Sequence, residues 1–118
     1  SCNRQEIAVR DGHVSLEAIQ VNALPDPDGR FVRLAERIAA TVPGLWGYVG
    51  VDLVLTREDA VVLEINPRLT TSYCALRPAL GLNTAGLVLG LLKGGSLPAG
   101  AIGVGLPAEL RLEPSHAS

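Results

Sequence analysis

An α+β fold with a mainly antiparallel sheet is what the sequence predicts, and three observations carry that expectation. Residues 47–55 and 61–68 each alternate apolar and polar side chains across a short polar turn, so they read as paired, half-buried strands. A second alternating pair flanks Asp11-Gly12, a dipeptide that favours a tight hairpin turn. Between the two pairs, residues 30–42 repeat apolar side chains with helical spacing.

The elements follow in order. Residues 3–10 form the first strand, through Ile7 and Val9, and residues 14–22 return from the Asp11-Gly12 turn. Pro25-Asp26-Pro27-Asp28-Gly29 is a turn-rich loop. In the helix of residues 30–42, Phe31, Leu34, Ala35, Ile38 and Val42 form the apolar stripe, while Arg30, Arg33, Glu36 and Arg37 face water. Pro43-Gly44 ends it. After the second strand pair, residues 69–82 lack clean periodicity and read as a loop with one helical turn. Asn83 or Thr84 caps a second helix that runs to about Lys93 and stops at Gly94-Gly95. That helix is apolar on nearly every side, so burial is expected, with Gly86 and Gly90 allowing another backbone to approach. Residues 99–118 are rich in glycine and proline, with one short strand expected through Ile102, Val104 and Leu106 and a frayed tail from Glu113. The division is thus a domain over residues 1–98 and a Gly/Pro-rich C-terminal segment over residues 99–118.

Composition narrows the function. The chain has 118 residues, 47% of them apolar, enough for one small core. A net charge of -2, no basic run and only 3% aromatics argue against nucleic acid as a partner. No run approaches the roughly 18 apolar residues of a membrane span, and no leader peptide is visible, so no membrane partner is expected. Cys2 and Cys74 lie far apart without metal-ligand spacing and read as free thiols of a cytoplasmic protein. With no methionine and an opening Ser-Cys-Asn-Arg-Gln inside an expected strand, the chain reads as a piece of a larger protein.

The site lies on the second strand pair. Glu64, Asn66 and Arg68 are spaced by two and share one face; Asp52 shares its own strand face with Tyr48 and Gly50. A three-residue loop, Arg57-Glu58-Asp59, pairs Thr56 with Ala60 and sets Asp52 opposite Glu64, Gly50 opposite Asn66 and Tyr48 opposite Arg68. Two carboxylates, an amide oxygen and a guanidinium then converge, as a hard-cation site beside a phosphate-reading arginine requires. The alternative is a solvated sheet face with a cross-strand salt bridge. Thr70, Thr71 and Ser72 just beyond are either substrate contacts or turn chemistry, and Arg77 either holds a substrate carboxylate or makes a surface salt bridge. Trp46 reads as a packing anchor.

Asp52 followed at +12 by Glu64-Ile65-Asn66-Pro67-Arg68 resembles the C-terminal lobe of the ATP-grasp superfamily. The string from Asn66 to Tyr73, the opening Asn3-Arg4-Gln5 and the strand ending in Asp52 look most like the tyramine–glutamate ligase group of methanofuran biosynthesis. The resemblance covers most of residues 1–93. It implies ATP and Mg2+ (or Mn2+) as cofactors and a carboxylate–amine ligase working through an acylphosphate. Asp52 would bind one metal, Glu64 bridge two and Asn66 bind the second, with Arg68 as the catalytic contact to the transferring phosphoryl group. It also implies small-molecule substrates, an amino acid such as glutamate and an amine, and missing N-terminal lobes supplied by the parent chain, with a homodimer as the other way to cover the open faces. The single lysine, Lys93, and the absence of a phosphate loop imply little activity in these residues alone. A non-catalytic binding module, or an ATP-grasp enzyme with another acceptor, stays open.

Overall fold

The computed structural model describes residues 1–97 and 105–112. Strand β1 (Arg4–Arg10) turns into β2 (His13–Val21) through Asp11 and Gly12, both with positive φ (51° and 78°). That is the primed two-residue turn the Asp-Gly pair was expected to make, closed by Arg10 opposite His13. Asn3 Oδ1 accepts a hydrogen bond from the backbone N–H of Asn22 at 2.9 Å and ties the open end of the hairpin.

Helix α1 (Arg30–Thr41) starts where expected. Its opening N–H groups are satisfied from a distance: the Asp26 carboxylate accepts from the N–H of Phe31 and of Val32, each at 3.1 Å. Strands β3 (Gly50–Leu55) and β4 (Ala60–Asn66) form a separate two-stranded sheet. Leu34, Ile38 and Val42 of α1's apolar stripe face Val62 and Ile65 of β4 across an open cleft of about 210 Å³. A 3-10 turn (Thr71–Ala75) leads into α2 (Leu76–Leu80), and α3 (Thr84–Leu92) follows. Strand β5 (Ala108–Arg111) then pairs antiparallel with β2, completing a sheet of order β1-β2-β5. Among the described residues every strand pair is antiparallel, so the fold is α+β as expected, with the strands divided between two sheets.

The core is small. Ile19 and Val21 of β2 meet Ala75, Leu76 and Ala79 of the 3-10 turn and α2, with Leu16, Tyr48, Tyr73, Ala108 and Leu110 packed around them. Residues 69–82 are therefore more ordered than a loop. Pro78 obscured this, yet it sits in the first turn of α2, where its missing N–H costs no helix bond.

Two expectations fail. Helix α3 is capped by Asn83, whose side chain accepts from the Gly86 N–H at 3.0 Å, but none of its residues is buried. Val88 lies where a side chain at Gly47 would meet it, and Leu89 is left 57% and Leu92 65% exposed. An apolar surface all round calls for burial only where another element lies against it, and none does among the described residues. Trp46, expected as a packing anchor, is likewise more than half exposed. Ile102, Val104 and the tail from Glu113 lie outside the described residues; the strand found nearby is β5, further along. Accessible surface totals 8868 Å², and Ile7, Val9, Val14 and Leu63 stand among the open apolar side chains. Cys2 and Cys74 are free, as expected. Cys2 is half-buried, and that burial pushes its thiol above its ordinary pKa.

Candidate functional site

The β3–β4 hairpin brings the expected carboxylates together. Gly50 lies opposite Asn66, Val51 opposite Ile65 and Asp52 opposite Glu64. The hairpin end differs. Leu55, rather than Thr56, pairs with Ala60, and Thr56 joins a four-residue turn closed by its N–H to Asp59 O at 2.8 Å. Thr56 Oγ1 also accepts from the Asp59 N–H at 2.9 Å. The shift is absorbed by a bulge that leaves Leu63 unpaired and 65% exposed, so the register at the site is kept.

Asp52 is half-buried and Asn66 is buried at 5% exposure. Both oxygens of Asp52 accept hydrogen bonds: Oδ1 from Gln5 Nε2 at 3.1 Å and Oδ2 from Asn66 Nδ2 at 3.2 Å. Glu64 is exposed and has no hydrogen-bond partner among the described residues. The ion pairs found among the described residues, Arg10–Glu17 and Arg111–Glu109, lie on other strands. The cross-strand salt bridge is therefore not what the face contains. Two carboxylates stand opposite each other with no protein cation, an arrangement that costs stability unless something positive joins it.

Arg68 does not sit opposite Tyr48, because β3 starts only at Gly50. Its exposed guanidinium donates through Nη1 to Leu69 O at 3.2 Å, leaving its other donors free for an anion. Tyr48 turns instead to the loop beyond β4. Its hydroxyl lies 2.9 Å from Thr70 Oγ1 and 3.3 Å from Ser72 Oγ, and those two hydroxyls are 2.9 Å apart. Thr70 and buried Ser72 thus satisfy each other, while Thr71 is exposed. Arg77 is exposed and lines a cleft of about 440 Å³ with Tyr73, Cys74, Leu82, Asn83 and Thr84. The Tyr48 and Tyr73 rings meet edge to face, centroids 5.5 Å apart, between this cleft and the loop hydroxyls.

Thr70 is also pressed onto Gly50. A Cβ there would stand 2.6 Å from Thr70 Cγ2, too close for any real contact. Gly50→Ala must displace the Thr70 side chain, which holds Tyr48 and Ser72, and is expected to cost about 1–3 kcal/mol in urea melts. An unchanged midpoint would show that the Thr70 loop yields freely.

Sequence reasoning missed Gln5 as part of this site. The available signal was its place in β1: by alternation it heads the row Gln5, Ile7, Val9, a polar side chain on an otherwise apolar face.

A family model described as an ATP-grasp domain matches residues 1–72, which include Asp52, Glu64, Asn66, Arg68 and the Thr70–Ser72 loop. Tyramine–L-glutamate ligase of Methanocaldococcus jannaschii is 36% identical over 77 residues, 65% of this chain and 24% of that protein. The chain thus spans about a quarter of the length of the curated relative it matches. No solved structure matches it.

Proposed function

Because the chain belongs to the ATP-grasp family, we propose that it is the metal- and phosphate-binding lobe of a larger ATP-dependent carboxylate–amine ligase. The observation that carries this reading is Asp52 facing Glu64 without a cation beside Asn66, with the free donors of Arg68 two residues further along the chain. The donor set fits a hard divalent cation, which takes oxygen ligands and binds through one or two carboxylates together with substrate phosphates. Asp52, Glu64 and Asn66 would hold Mg2+, or Mn2+ in its place. Such ions supply charge neutralisation at the nucleotide phosphates.

The chain's own contribution is position and charge. Arg68 steadies the γ-phosphoryl group of ATP as it passes to a substrate carboxylate oxygen and ADP leaves. The acceptor amine then attacks the acyl carbon, phosphate departs, and the amine loses a proton. No nucleophilic side chain is needed, since phosphoryl transfer gains mostly from positioning and electrostatics. The resemblance to a tyramine–L-glutamate ligase supports glutamate, or an acid like it, and a small aryl amine as substrates. Thr71 and Arg77 remain open to such a substrate; Thr70 and Ser72 act as the frame that holds the loop. The two free thiols support a cytoplasmic setting. Lys93 as the single lysine supports little or no ATP turnover by the 118 residues alone.

The test is ADP release by the full-length protein with Mg-ATP, glutamate and tyramine. Release that needs both acid and amine supports the reading. Release that ignores the amine overturns the ligase, and silence across a panel of acids and amines overturns catalysis.

A further inference from the structure

Asp52 is held from two directions, and one of them comes from outside its sheet. Asn66 is its neighbour on β4, but Gln5 belongs to β1, 47 residues away in sequence and in a separate sheet. Gln5 is itself exposed, but it lies opposite Ile19, which is 3% exposed, so its backbone is paired with the buried end of β2. Its amide reaches from there to Asp52 Oδ1 at 3.1 Å.

Resting on the metal-site reading above, we infer that Gln5 is a positioning residue for the metal ligand Asp52, fixing its carboxylate plane through a hydrogen bond between the two sheets. The reasoning is geometric. A carboxylate with a donor on each oxygen cannot spin about its terminal bond, and its remaining lone pairs have one direction left. With Gln5 and Asn66 occupying one position on each oxygen, the open positions are fixed before any cation arrives. Neutral amides suit this role, since a lysine or arginine would neutralise Asp52 and compete with the cation. Groups that orient metal ligands from behind typically cost 10–100-fold in affinity when removed.

Gln5→Met keeps the length and loses the donor. Isotope-labelled chain is titrated with Mn2+ alone, following paramagnetic broadening at Asp52, Glu64 and Asn66, beside a melting curve. Gln5→Met is expected to need about tenfold more Mn2+ for half-broadening, with its melting temperature unchanged. Val9→Ser, on the same row of β1 and 69% exposed, serves as the control and binds Mn2+ as the wild type does. Equal Mn2+ dependence in Gln5→Met overturns the inference alone. A loss of affinity accompanied by an equal loss of melting temperature also overturns it, because Gln5 would then be only a strut between sheets. Wild-type chain that shows no selective broadening at the three residues defeats the metal site itself, and this inference with it.

Discussion

Glu64→Gln is expected to abolish metal-dependent turnover in the full-length protein while leaving the fold untouched. Glu64 is exposed and makes no hydrogen bond among the described residues, so the substitution should move stability by no more than about 0.5 kcal/mol. Removing one of two facing carboxylates relieves repulsion, so the sign of that small change should be stabilising. Activity should fall by about a hundredfold or more, since even groups behind a metal ligand cost 10–100-fold. The opposite pattern, lost stability with retained ADP release, would mean that Glu64 is an ordinary strand residue and that the metals lie elsewhere. In the isolated chain the same change should erase Mn2+ broadening at Asp52 and Asn66.

Val21→Ala should produce the largest loss of stability, about 2–3 kcal/mol. Val21 is fully buried, at 0% exposure, in a core whose buried apolar members are Ala18, Ile19, Val21, Ala75, Leu76 and Ala79. Half of those are alanine, so few large side chains hold the three-stranded sheet to the 3-10 turn and α2. Small domains are stable by only about 5–15 kcal/mol, and this core puts the chain toward the low end. Val9→Ala removes the same atoms from a side chain 69% exposed and should stay within about 0.5 kcal/mol. Urea midpoints of the two variants give the comparison directly. Similar losses would place the stabilising contacts outside the β2–α2 interface.

What was legible depended on local repetition. The face bearing Asp52, Glu64 and Asn66 was readable because alternation fixes which side chains share a face. The register survived an incorrect turn: Thr56 was assigned to the strand, and the unforeseen bulge at Leu63 compensated for it. Period alone cannot reveal such a bulge. Helix α2 was obscured by Arg77-Pro78, although Ala75, Leu76, Ala79 and Leu80 carry helical spacing. The burial expected of α3 failed for a different reason. Hydropathy states what a helix prefers to touch, whereas no strand or helix among the described residues packs extensively against α3. The Gln5–Asp52 contact was beyond any periodic reading, since it joins two sheets across 47 residues.

The open apolar faces also govern how the chain responds to solvent. A protein of this mass ordinarily exposes about 6,100 Å² when folded and about 17,800 Å² when unfolded. With side chains such as Ile7, Val9, Val14 and Leu63 already in water, unfolding uncovers less new apolar surface than that difference implies. The denaturant slope and the heat-capacity change both scale with that difference. The urea transition should therefore be broad and the temperature–stability curve shallow. A gradual melt in this chain reports a native state with less apolar surface left to expose than usual, rather than a loss of cooperativity.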